Sequence, residues 1–243
     1  MAEVIAFLSG KGGTGKTSLC AGIAMALARE GKQVLCIDCD VGLQNLDIAL
    51  CMTEMGAVSF LEVCRGEYTL DQAAAHPAYP SLRFLTAPIN CSAESIDRFA
   101  FARMLDVART RFQYIFLDAP AGIEAGFRLA AGAADRAILV SNADPASIRD
   151  AQRSAEELER MGKPARLVVN RLKKSMFKTV KMTVDDIMDD TGLPLLGIVP
   201  EDENVVFAAA FGRPLLGYTR KGAAAACRRI AQRLQGMRVK IRI

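Results

Sequence analysis

The stretch SGKGGTGKTS, from Ser9 to Ser18, restricts the possible folds of this chain more than any other segment. It follows an apolar run, Val4 to Leu8, and leads into LCAGIAMALARE, whose spacing predicts a helix from Thr17 to Arg29. Gly10, Gly12, Gly13 and Gly15 allow the backbone to turn tightly and bring its N–H groups close to an anion. The helix that follows adds the positive end of its dipole. The spacing G-x-x-x-x-G-K-[ST] from Gly10 to Thr17 is that of a phosphate loop. In that pattern Lys16 reaches the β- and γ-phosphates and the Thr17 hydroxyl ligates Mg²⁺. One lysine suffices to hold a phosphate, so Lys11, five positions earlier, needs a separate explanation.

Such a loop joins a strand to a helix, and the rest of the chain alternates in the same way. EVIAFLS, QVLCIDC, LRFLTA, YIFLDA, RAILVSN, ARLVVN and LLGIVP read as strands. Most are apolar throughout, as expected of strands covered on both faces. Helices are expected over Ala93 to Thr110, Ser147 to Met161 and Val184 to Asp190. The expected fold is therefore α/β, a three-layer P-loop NTPase fold with a mostly parallel sheet flanked by helices on both faces. The 243 residues have no repeat or evident linker, so 1–243 is expected to be one domain, with a basic helix and short tail over 219–243. Leu172 to Thr183 (LKKSMFKTVKMT) reads as an exposed basic connection.

Composition narrows the function classes. Apolar residues make up 51% of the chain, enough for a full core, and no run reaches the roughly 18 residues of a spanning helix. The seven cysteines are scattered, and Cys36 and Cys39 (CIDC) lie at a predicted strand end. They suit packing in a reduced, cytosolic protein rather than a disulfide framework or a zinc site. The single histidine, His76, precedes a proline and is expected in a loop without a catalytic role. The net charge of +4 is uneven: residues 204–243 carry nine Lys or Arg and no Asp or Glu. A basic end either meets something anionic, such as lipid headgroups or nucleic acid, or simply faces water.

A phosphate loop needs a metal partner and a group to orient water. VLCIDCDVG places Asp38 and Asp40 at one strand end, and YIFLDAPAG places Asp118 at another. Carboxylates there can hold Mg²⁺ through its waters and position an attacking water.

These segments together carry a family likeness. KGGTGKT (11–17) resembles the deviant signature KGGxGK[ST] of the MinD/ParA ATPases. DVGLQNLDIAL (40–50) is similar to the family's first switch, and LDAPAGIEAGF (117–127) to its Walker B and second switch. VVNR (168–171) and LPLLGIVPEDENVVFAAAFGRPLL (193–216) look like its base-binding region and following helix. The likeness spans residues 1 to about 218, and GLQNLD and PAGIE narrow it to the septum-site-determining branch and close relatives.

The resemblance implies ATP and Mg²⁺ as cofactors. It implies that Gly12, Gly13, Thr14, Gly15, Lys16, Thr17 and Ser18 hold the phosphates, with Asn45 of the first switch near them. Asn170, Arg171, Pro200, Glu201 and Asp202 would border the adenine. Thr17, Asp40 and Asp118 would serve the metal, with Asp40 also positioning water. Lys11 would be the signature lysine, which crosses an ATP-sandwich homodimer to the partner's phosphates. Taken without the family, Lys11 could equally cap its own phosphates or face solvent.

The likeness further implies a cell-division switch, cytoplasmic, and peripheral at the inner face of the membrane when ATP-bound. A division inhibitor and an activator are the implied partners, met near the helix SIRDAQRSAEELERM with its Asp150. The tail departs from the family, because QGMRVKIRI has no bulky aromatic residue and is short for firm lipid anchoring. Basic residues facing anionic lipid add about 1 kcal/mol each, and a dimer presents two tails. The stripe Ala223, Ala226, Cys227, Ile230 and Leu234 is expected to pack on the domain.

Two relatives share this chemistry. A ParA-like partition ATPase would bind DNA non-specifically through the basic end and Lys173, Lys174, Lys178 and Lys181. A flagellar-placement ATPase of the FlhG type usually carries a glutamine-rich leading segment, which is not seen before the loop. Tyrosine-kinase and iron–sulfur carrier readings lack, respectively, clustered tyrosines and suitably paired cysteines.

Overall fold

The computed structural model describes residues 2–89, 91–173 and 183–242. Strand β1 (Glu3–Leu8) is apolar at every position after the first, and the sheet explains why. Ile5 and Phe7 point into one core and Val4, Ala6 and Leu8 into another, on the opposite face. The sheet has eight strands in the order β3-β4-β2-β5-β1-β6-β7-β8. The remaining strands are β2 (Val34–Asp38), β3 (Ala74–His76), β4 (Tyr79–Leu85), β5 (Tyr114–Asp118), β6 (Arg136–Asn142), β7 (Ala165–Leu172) and β8 (Leu195–Pro200). All pairings are parallel except β3 with β4. The central strand β1 lies between β5 and β6, so the chain order reverses there and the strand C-termini open a crevice for a ligand.

The expected α/β fold is the one observed, and all seven expected strands are present. The eighth, β3, is only three residues long and gives no periodicity to read. His76 ends it, contrary to the expected loop. The histidine is buried, and its Nδ1 accepts the backbone N–H groups of Ala78 and Tyr79 at 3.1 and 3.2 Å, closing the β3–β4 turn. Burial pulls its imidazole below the ordinary value.

One face is covered by α1 (Lys16–Arg29) and by the last helix of the chain, with the short α2 (Leu46–Leu50) at its end. The other is covered by α3 (Phe60–Cys64), α4 (Arg98–Arg109), α5 (Ala125–Ala133) and α6 (Pro145–Arg160). The helix expected from Ala93 is interrupted. A single 3₁₀ turn at Ala93–Ser95 gives way at Ile96, and Asp97 starts α4 afresh by accepting the N–H groups of Phe99 and Ala100. Near the sheet edge lie α7 (Val184–Thr191), α8 (Asn204–Ala210) and α9 (Leu215–Tyr218). In the stretch read as an exposed connection, Leu172 instead ends β7 and is buried, and Thr183 caps α7. Residues 174–182, with Lys174, Lys178 and Lys181, lie outside the described residues.

The final helix, α10 (Gly222–Leu234), packs across α1 and β8. The expected stripe of Ala223, Ala226, Cys227, Ile230 and Leu234 is buried, joined by Ala224 and Ala231. Small residues bring the helices close: a Cβ on Gly22 of α1 would lie 2.8 Å from Cys227 Sγ. Ile230 fills the space over Gly197 of β8. Ile230→Ala is expected to cost about 2–5 kcal/mol, read as a lower urea midpoint in a single cooperative transition. A separate early transition for α10 would show that the helix is not part of the core.

Candidate functional site

Helix α1 begins without a side-chain cap and with no acidic residue in its first turn. Gly15 takes the left-handed conformation (φ 84°) and the first helical bond runs from Leu19 N–H to its carbonyl. The N–H groups of Lys16, Thr17 and Ser18 therefore have no helical acceptor, which suits an anion. Gly15 is required twice over, because a Cβ there would lie 2.4 Å from Asn170 Nδ2. At the other end of the loop, a Cβ on Gly10 would collide with the backbone of Asp150 in α6. Gly13 is also left-handed (φ 78°), whereas Gly12 has open space around it and an ordinary φ.

Lys16 does not point into open solvent. Its Nζ donates to Asp118 Oδ1 at 2.8 Å, and the two side chains are only 7% and 2% exposed. The Thr17 hydroxyl lies 3.4 Å from the same Nζ. Strands β2 and β5 are in register, so Asp38 stands directly beside Asp118. Burial pushes the Asp118 carboxyl up, and Lys16 and Thr17 oppose that shift. Asp38 has no lysine: burial, then the neighbouring Asp118 charge, push it up to about 7. Its two oxygens accept the N–H groups of Asp40 (2.8 Å) and Leu46 (3.1 Å), which pins the 40–46 segment to the strand end. Gln44 holds that segment from the other side, in a left-handed conformation (φ 47°), by donating to the carbonyls of Ala87 and Pro88.

Lys11 sits at the rim. Its Nζ donates to Asp144 Oδ1 at 3.1 Å, with the lysine side chain 34% exposed. Asp144 is also the N-cap of α6, accepting from Ser147 N–H at 3.0 Å and Ser147 Oγ at 2.5 Å. Burial works against its charge, but the Ser147 and Lys11 bonds hold its carboxyl below the usual range. The partner of Lys11 in the fold is therefore the cap of α6, Asp144.

Two adjoining cavities meet at Gly15, Ser18 and Arg171. One, about 520 Å³, is lined by the loop from Lys11 to Ser18 with Asp40 and Asn45. The other, about 220 Å³, is lined by Asn170, Arg171, Pro200, Glu201 and Asp202. The residues expected at phosphate and base are thus brought to one trough, with Asp118 buried beneath it against Lys16. Several are engaged in ways the sequence did not suggest. Asn170 Nδ2 donates to the Thr14 carbonyl at 2.7 Å, so its amide braces the loop. Asp202 accepts from Asn204 N–H and from Ala223 N–H, tying the base loop to α8 and α10. Glu201 pairs with Lys173 at 3.1 Å. Arg171 adopts a left-handed backbone (φ 52°) at the bulged end of β7.

Sequence reasoning missed Asp144, Gln44 and the α10 wall of the smaller cavity, Ala223 and Cys227. Asp144–Pro145 did carry a signal, a capping residue before a proline at a helix start. The oxygen donors that reach the trough, the Thr17 hydroxyl and the Asp40 carboxylate, suit a hard cation such as Mg²⁺ whose remaining ligands are phosphate oxygens and water.

The model of the CobQ/CobB/MinD/ParA nucleotide binding domain matches residues 5–215. The septum site-determining protein MinD of Synechocystis is 38% identical over 241 residues, covering 97% of this chain and 90% of that protein. The MinD of Bacillus subtilis is 34% identical, covering 100% and 92%. The solved MinC:MinD cell division protein complex of Aquifex aeolicus contains a chain that superposes with a TM-score of 0.91 at 36% identity, covering 100% of this chain and 99% of that one.

The Asp38 carboxyl predicts a pH dependence. It holds its proton up to about 7 when folded but only to about 3.9 when unfolded. Between those values the folded state binds more protons, so this group's contribution to stability falls as pH rises, then levels off. Asp38→Asn should flatten the fall in urea midpoint from about pH 5 to about pH 8. A variant that kept the wild-type slope would place the titration elsewhere.

Proposed function

Because the chain belongs to the CobQ/CobB/MinD/ParA nucleotide-binding family, we propose that it is an ATP-hydrolysing dimerisation switch that positions the division septum at the membrane. Its MinD relatives are septum site-determining proteins, and one relative's structure is a complex with MinC. By that likeness the partners of this chain are a second copy, a division inhibitor and an activator.

The observation that carries the reading is the division of labour between two lysines. Lys16 is buried at Asp118 in the floor of the trough, and Lys11 is held at its rim by a different helix. In the proposed cycle Lys16 turns from Asp118 to the β- and γ-phosphates. Asp118 then loses its cation partner, and its carboxylate would be available to the metal's hydration shell. Thr17 would hold a Mg²⁺ ion, which would supply positive charge at the phosphates. Asp40 orients the attacking water, and Asn170 presents its Oδ1 to the amine of adenine.

Lys11 leaves Asp144 and reaches the phosphates of the second subunit, which makes ATP part of the interface. Apolar side chains beside the trough support such an interface: Leu43 is 71%, Val206 66% and Ile48 49% exposed. Helix α6 touches the loop at both Gly10 and Lys11, which offers a bound activator a direct route to the phosphates.

Sedimentation with anionic liposomes in ATP, ADP and no nucleotide tests the switch. ATP-specific binding is expected, lost in both Lys11→Ala and Lys16→Ala. Binding that ignores nucleotide would remove the coupling, and ATP-dependent binding to duplex DNA in place of lipid would favour a partition ATPase.

Asp144→Asn keeps the helix cap and drops the charge that holds Lys11. An exposed pair of this kind is worth about 0.2–1 kcal/mol, so the ATP concentration at half-dimerisation should fall about 1.4- to fivefold, measured by sedimentation velocity. An unchanged midpoint would mean that Lys11 is not restrained by Asp144.

A further inference from the structure

Among the described residues, six arginines pair with carboxylates. Arg109 forks onto Asp135 with two 2.7 Å bonds, and Arg136 pairs with Glu3. A group at the end of the sheet is met by backbone carbonyls instead. Arg228 donates to the Arg220 carbonyl, Arg229 to that of Arg242 (3.4 Å) and Arg166 to that of Leu195 (3.3 Å). Arg233 donates Nε to the Val239 carbonyl at 3.1 Å and Nη1 to the Leu196 carbonyl at 3.0 Å. Its Nη2 is buried with no partner among the described residues.

Among the described residues, the charged groups that bear on them are other arginines. Arg136 faces Arg166, Arg229 and Arg166 face Arg233, and Arg242 and Arg228 face Arg229. Burial first, and then this mutual repulsion, hold all three guanidinium groups below their ordinary value. Carbonyl dipoles solvate a cation but do not cancel it, and the C-terminus of α10 supplies only about half a negative charge. Partly buried like charges with an unused donor are costly unless an anion completes them.

We propose that Arg166, Arg229 and Arg233 form a phosphate site, and that the main chain of the C-terminal tail occupies it in this structure. Arg229 and Arg233 lie one turn apart on the same side of α10, and the guanidinium fork matches a phosphate's oxygens. The tail carbonyls of Val239 and Arg242 stand where those oxygens would bind. An arriving phosphodiester replaces the carbonyls, takes up Nη2 and frees the tail. The tail carries Met237 and Ile241, 48% and 44% exposed. The ligand is the headgroup phosphate of anionic lipid, an assignment that rests on the membrane reading above. Lipid then both neutralises the cluster and releases the segment that inserts beside it, which offsets the small apolar area of the tail.

The test uses full-length protein and vesicles of phosphatidylglycerol with phosphatidylcholine, against pure phosphatidylcholine. Two charges lost from a diffuse basic surface would weaken partitioning about thirtyfold, and Arg229→Gln/Arg233→Gln should exceed that. Arg238→Gln/Lys240→Gln, which removes two charges of the tail itself, should cost clearly less. Equal losses in both pairs would reduce the cluster to diffuse surface charge and overturn the site, as would no loss. If the double variant does not fold, Arg229→Gln alone carries the test, with a loss above the roughly fivefold of one diffuse charge expected.

Inorganic phosphate at constant ionic strength separates the two sources of the ligand. Protection of wild type but not of the variant against thermal unfolding, without vesicle binding, assigns the site to free phosphate and overturns the lipid assignment. Duplex DNA binding with the same arginine dependence and no vesicle binding also overturns it.

Sedimentation velocity with ATP runs in parallel to separate this site from the switch. A variant that dimerises on ATP yet binds vesicles as wild type does removes the site and leaves the switch. A wild type that stays monomeric in ATP but binds vesicles through Arg229 and Arg233 removes the switch and leaves the site.

Discussion

The ion pair between Lys16 and Asp118 organises the centre of the molecule. Both side chains are almost entirely withdrawn from water, at 7% and 2% exposure, and neither charge could stay there alone. Their 2.8 Å contact joins the loop after β1 to the end of β5, the two strands that pair in the middle of the sheet. A phosphate entering the trough competes with Asp118 for the same ammonium group, so the pair holds the site ready and is also what a nucleotide must rearrange. Asp38, beside Asp118 on the next strand, has no such partner. Its carboxyl is pushed to about 7 and spends its oxygens on the backbone of the 40–46 segment. A carboxylate that reads as a metal ligand in isolation is here a clamp on the segment that carries Asp40.

Shape around the loop comes from distant parts of the chain. Asn170 braces Thr14, Asp150 closes on Gly10, and Asp144 holds Lys11 across 133 residues of sequence. Two of these contacts come from α6, so any force on that helix is felt at both the first glycine and the first lysine of the loop. The base side is linked in another direction. Asp202 closes the N-terminus of α10, and Ala223 and Cys227 of the same helix line the smaller cavity. The C-terminal helix is therefore a wall of the candidate nucleotide site on its buried face and the carrier of an arginine cluster on the other.

Much of this was legible in the residues themselves. The phosphate loop is local: the left-handed Gly13 and Gly15 and the helix start at Lys16 follow from a nine-residue stretch. The parallel sheet was legible for a similar reason, since strands buried on both faces must be apolar at nearly every position. The stripe on α10 declared its packing through a period that a helix cannot avoid. Likeness to a family then assigned roles to Asp40, Asn45 and the 200–202 loop that spacing alone could not.

Partnership, in contrast, belonged to the tertiary structure. No local pattern says that Lys11 meets Asp144, that Asn170 spends its amide on the loop or that His76 closes a turn, because each contact joins elements through the geometry of the sheet. The basic C-terminus shows the same divide. Nine cations without a carboxylate can be counted in the sequence, yet whether they face water, lipid or one another depends on where α10 lands. Periodicity and composition determine which side chains must be buried. Only the folded chain decides which charges are left to answer each other, since Coulomb interactions act through distances that the sequence does not contain.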